Sequence, residues 1–99
     1  MSRYYENRRV TVDSVTWTAV VVPTGVWCSR ITIENTDPMV QLAVRTDQAD
    51  ANTEVPIYPG AMKSIVGASE HGTQFSPGDT ICYVKAASGT GPIAVEFIR

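Results

Sequence analysis

Apolar residues in this chain recur at every second position, in short runs bounded by glycine, proline, asparagine and aspartate, the spacing of half-buried strands. Eight such runs are predicted as strands: residues 9–13, 15–22, 27–34, 39–46, 53–58, 61–66, 80–86 and 93–98. A strand sends successive side chains to opposite faces, so each run divides into a core set and a solvent set. In the second, Val15, Trp17, Ala19 and Val21 form the expected core set against Thr16 and Thr18. In the third, Ile31 and Ile33 oppose Arg30, Thr32 and Glu34. Val40, Leu42 and Val44 oppose Gln41 and Arg45 in the fourth, and Ile93, Val95 and Phe97 oppose Glu96 in the last. β-branched residues dominate throughout, as suits a pleated surface.

Between the runs stand Pro23-Thr-Gly25, Asn35-Thr-Asp-Pro38, Pro59-Gly60, Pro77-Gly78 and Ser88-Gly-Thr-Gly-Pro92. Proline presets φ for the second residue of a turn and glycine accepts positive φ at the third, so both Pro-Gly pairs predict type II turns. No stretch carries a helical period. Eight strands at this spacing predict an all-β fold in which every strand buries one face, either two packed antiparallel sheets or a closed barrel; a single-domain antiparallel β-sandwich, jelly-roll-like, is the first choice. The polar segments 47–53 and 67–73 are the expected exposed loops.

Ninety-nine residues suffice for one core and not two. A chain of this size has little burial to spare, so association would add stability. The longest apolar run, residues 19–23, is far below the ~20 residues of a membrane-spanning helix. The N-terminus lacks the apolar stretch of a secretory signal, so no membrane partner and cytoplasmic synthesis are expected. The net charge of -2 argues against a nucleic-acid partner, because backbone binding draws on surplus lysine and arginine. Charge is unevenly spread: residues 1–33 carry four arginines against two acids, while residues 34–79 carry Arg45 and Lys63 against seven.

Candidate chemistry is sparse. His71 is the only histidine and falls in a predicted loop; Ser69 and Glu70 are near it in sequence but carry no nucleophile-elbow context. No catalytic residue is assigned, and no enzymatic activity is expected. Cys28 and Cys82 lack zinc-site spacing. Alternation puts Cys28 with Arg30 and Thr32 on a polar face and Cys82 with Val84 and Ala86 on a buried one, so two free thiols are expected. Asp47, Asp50, Asn52 and Glu54 offer oxygen ligands for a loose calcium site, but Ala49 and Ala51 interrupt the pattern and a solvated loop is the expected reading. No metal or cofactor is assigned. Trp17 and Trp27 could stack sugars, yet both are expected in the core.

Residues 1–9 are read as an N-terminal arm and residues 10–99 as the sandwich domain. Tyr4, Tyr5, Arg8 and Arg9 are the candidate partner-binding residues, because tyrosine and arginine are enriched in interface hot spots. A frayed terminus is the alternative.

The segments Thr16-Trp-Thr-Ala-Val-Val-Val-Pro-Thr-Gly25, Ile31-Thr-Ile-Glu-Asn-Thr-Asp37, Val44-Arg-Thr-Asp47, Ile57-Tyr-Pro-Gly60 and Phe75-Ser-Pro-Gly-Asp-Thr80 resemble, in order and turns, the small β-sandwich virion proteins of tailed bacteriophages, nearest to head decoration (cement) proteins. The resemblance implies a non-enzymatic structural protein, made in the host cytoplasm and located in the virion, that binds the outer shell and stabilises it. Its implied partners are the major capsid protein or another virion protein and further copies of itself, a homotrimer being favoured. The alternative is a carbohydrate- or receptor-binding module of a phage fibre or tail.

Overall fold

The computed structural model describes residues 5–25, 27–66 and 75–98, with the backbone alone at 5–7 and 66. Eight strands run in order: β1 (Tyr5–Asp13), β2 (Thr18–Val21), β3 (Arg30–Asn35), β4 (Leu42–Arg45), β5 (Val55–Ile57), β6 (Met62–Val66), β7 (Thr80–Ala86) and β8 (Thr90–Ile98). They form two antiparallel four-stranded sheets, ordered β1-β8-β3-β6 and β2-β7-β4-β5. The first strand pairs with the last, the second with the seventh, the third with the sixth and the fourth with the fifth. Such nesting is a long antiparallel ribbon rolled once upon itself, which is the jelly-roll arrangement.

All eight predicted strands are present, and the inward set is the expected one in most of them. Ile31, Ile33, Leu42, Val44, Ile93, Val95 and Phe97 are buried between the sheets. Both Pro-Gly turns are type II: Ala61 N donates to Tyr58 O at 2.9 Å and Asp79 N to Ser76 O at 3.0 Å. Gly60 and Gly78 adopt φ of 78° and 87°, a region closed to most side chains.

Three expectations need correction. The buried residues of this segment are Val20 in β2 and Val22 just past its end, whereas Val15, Ala19 and Val21 are exposed. Asp13 Oδ1 accepts from the amides of Val15 (3.0 Å) and Thr16 (2.8 Å), so residues 14–17 are spent in a turn and the strand begins only at Thr18. Pairing with β7, with a register shift between Val20 and Val21, then chooses the phase; residues 19–22 are apolar at both parities, so alternation alone could not.

The second correction concerns Cys28, expected on a polar face and found fully buried. It precedes β3 and forms an isolated bridge with Phe75, and the irregular step at Ser29 brings Cys28 and Ile31 to the same interior. Both cysteines are free, although both face the core. Burial pushes the Cys28 thiol up and the Cys82 thiol up to about 12.

The third is the arm. Residues 5–9 form the first half of β1, pairing from Tyr5↔Ile98 to Arg9↔Ala94. β8 pairs with β3 along residues 93–98 and buries Phe97, and its other side offers nine residues for pairing, so the chain pairs from Tyr5 onward. Tyr4 lies outside the described residues.

Candidate functional site

Register fixes which connections share an end of the sandwich. Asp13 is opposite Thr90, Asn35 opposite Ile93, Glu34 opposite Met62, and Leu42 opposite both Ala86 and Ile57. The connections at 14–17, 36–41, 58–61 and 87–89 therefore emerge together, and the described residues 22–25, 27–29, 46–54 and 75–79 lie at the opposite end.

The connecting segments at the first end are almost uncharged. Six large hydrophobic side chains are exposed in the described chain, and four are here: Val15 (82%), Met39 (83%), Tyr58 (60%) and Met62 (61%). Asp37 is the sole charged residue in the four connections, and its Oδ1 is taken by the amides of Met39 at 2.7 Å and Val40 at 2.9 Å. Interface cores are depleted in charge and enriched in methionine and tyrosine, so this end has their composition.

Asn35 holds these connections in place. It is the closing asparagine of the Ile31-Thr-Ile-Glu-Asn35 segment and is fully buried. Its Nδ2 donates to Val40 O at 2.7 Å and Ile57 O at 3.1 Å, and its Oδ1 accepts from Asp37 N at 3.1 Å. Its backbone donates to Ala61 O at 2.9 Å and accepts from Gly60 N at 3.0 Å. One residue thus joins the Met39 connection to the Tyr58 turn across the gap between the sheets. A buried amide left unpaired would cost too much for this position to be occupied casually.

Beside this end, on the outer face of the second sheet, lies a polar depression. Trp17, expected in the core, is half-buried at its rim, because residues 14–17 turn outward under Asp13. Arg45 lies 4.6 Å and Lys85 5.4 Å from the Trp17 ring centroid, within cation-π range. Glu54 Oε1 binds Arg45 through Nε and Nη2, both at 2.8 Å, so the guanidinium is neutralised, while the Lys85 ammonium acts on the Asp13 carboxylate from beyond ion-pair distance. Gln41 and Ser14 complete the polar part of the lining. Trp27, also expected in the core, is 49% exposed at the opposite end.

The acidic connection uses its oxygens locally. Asp47 Oδ1 accepts from Ala49 N, Asp50 Oδ1 accepts from Asn52 N at the start of the 3-10 turn Ala51–Thr53, and Glu54 serves Arg45. These are turn-forming asparagine-like bonds, and no group of metal-binding side chains occurs among the described residues. Arg8 and Arg9 are exposed on β1. Ser69, Glu70 and His71 lie outside the described residues.

Sequence reading did not find the apolar end: Val15, Met39, Tyr58 and Met62 are scattered along the chain, and only the rolled topology assembles them. The sequence matches no protein-family model and no curated protein.

Proposed function

We propose that this chain is a non-enzymatic structural protein of a virus particle, a decoration or cement protein that binds the outer shell through its uncharged loop end. The observation that carries the reading is the gathering of Val15, Met39, Tyr58 and Met62 on one end, whose connecting segments carry one charged residue, Asp37, with its Oδ1 held by two amides. A monomeric protein seldom leaves contiguous apolar groups in water without a use, and the rigid Asn35 scaffold presents them without an ordering cost on binding. The identity of the partner as a capsid protein rests on the order of segments and turns that resembles phage head proteins.

The test is co-sedimentation of the purified chain with shells assembled from the major capsid protein of a tailed bacteriophage whose genome encodes this chain. Wild type should pellet with the shells, and Met39→Asp with Met62→Asp should remain in the supernatant while keeping its thermal transition. Undiminished pelleting of the double variant would overturn the assignment of this end.

A second reading, a carbohydrate- or receptor-binding module of a fibre or tail, draws on the Trp17 depression, where an indole stands beside Lys85, Gln41 and Glu54. Saturable binding on a glycan array, lost in Trp17→Ala, would favour it over the shell.

A further inference from the structure

The four edge strands of the sandwich are not alike. β5 has three residues and carries Pro56, β2 has four and a register shift, and β6 has five and carries Lys63. Short strands, prolines, irregular pairing and lysines are the devices that discourage edge-to-edge association. β1 has nine residues and neither proline nor glycine. Its only strand partner is β8, so among the described residues the backbone groups of its outer edge have no strand to pair with. Next to it the sandwich gapes: a depression of about 210 Å³ opens between β1 and β2, lined by Val10, Ala19, Val20, Val21, Val95 and Phe97 with Arg8 at its rim.

We infer that a second copy of this chain pairs along β1, antiparallel about a two-fold axis at Thr11, joining the two β1-containing sheets into one of eight strands. Charge complementarity favours this axis over one at Arg9. Centred on Thr11, the pairing sets Arg9 opposite Asp13 of the second copy, twice, and Val10 opposite Val12, twice. Centred on Arg9 it would oppose like charges, which is unfavourable directly across strands. An even spacing keeps each residue on the same face as its opposite number: Thr11 and Arg9 lie on the outer face, both exposed, and Val12 lies inward. Asp13 retains its Oδ2 for the contact, since Oδ1 is held by Val15 and Thr16. The same two-fold brings the apolar openings of the two copies together, covering Val10 and Val21. An isologous contact of this kind closes at two copies, and it departs from the trimer that the phage resemblance implies. It uses the side of the sandwich, leaving the loop end free, and is independent of the shell-binding reading.

Sedimentation velocity on the full chain over a concentration series tests the inference. Wild type should sediment as a reversible dimer. Thr11→Lys places two ammonium groups face to face on the axis and should weaken the dimer at least about tenfold, the equivalent of about 1.4 kcal/mol. Its thermal transition should match that of wild type at concentrations where both are monomeric, because Thr11 is exposed. Ser88→Lys, at the loop end, should leave the dimer intact. A wild type that is monomeric throughout or trimeric, or a Thr11→Lys variant that dimerises as tightly as wild type, would overturn the proposal. Pairing of β1 with a strand of a different protein, the other use of such an edge, would appear as a monomeric wild type.

Discussion

Asn35→Ala is expected to be the most damaging single polar substitution in the molecule. The change removes three side-chain hydrogen bonds, of 2.7, 3.1 and 3.1 Å, and strands Val40 O and Ile57 O at a site with no solvent exposure at Asn35. At about 1 kcal/mol net for each bond, and more where a buried partner is left unpaired, the loss is about 3 kcal/mol. For a domain of this size each kcal/mol moves Tm by roughly 4 to 8 °C, so a fall of roughly 12 to 24 °C should be seen by circular dichroism or calorimetry. Asn35→Asp is the informative companion. It keeps an acceptor for Asp37 N but has no N–H for the two carbonyls and would bury a carboxylate facing them, so it should be at least as unstable as the alanine variant at neutral pH and recover part of the loss on acidification, when the protonated carboxyl can donate once. Amide exchange at Asp37, Gly60 and Ala61 should accelerate in both variants. A Tm within about 4 °C of wild type for Asn35→Ala would refute the reasoning, because it would mean that the two connections hold their places without this residue.

The register of β2 is tested by a pair: Val20→Ala should cost on the order of 2 kcal/mol and Val21→Ala less than about 0.5, by chemical denaturation; equal losses would restore the phase expected from alternation. Gly60→Ala, forced into φ of 78°, should destabilise by about 1 to 2 kcal/mol without any steric clash, since no atom lies within 4 Å of the added carbon. Cys82, whose folded-state value is raised to about 12 from an ordinary 9.0, binds its proton more tightly in the folded chain than in the unfolded one. Its contribution is therefore intact below pH of about 9 and is lost as pH rises through about 12; Cys82→Val should show a shallower decline of Tm across that window, and identical profiles would contradict the burial of the thiol. Glu54→Gln should change stability by less than about 1 kcal/mol, because the Arg45 pair is open to water, and a loss above 2 would show that the pair matters more than its exposure allows.

The eight strands, the two type II turns and the sandwich were legible in the chain because each depends on neighbours a few residues away: alternation at period two, β-branched composition, and proline followed by glycine. The inward faces of β3, β4 and β8 were legible for the same reason, since their apolar residues occupy one parity only. Where apolar residues fill both parities, as at 19–22, local pattern carries no phase, and pairing with β7 made the choice. Cys28 was misassigned because an irregular residue interrupts the period, and Trp17 because a turn capped by Asp13 replaces the first half of the expected strand. The arm joined β1 because β8 offers nine partners, a fact stored at the far end of the chain. Asn35 stands out in sequence only as the end of a strand; its three bonds reach residues 2, 5 and 22 positions away. The apolar end and the open β1 edge belong wholly to the tertiary structure, because a jelly roll places next to one another residues that are far apart in sequence, and no local rule sums exposure across four separate connections.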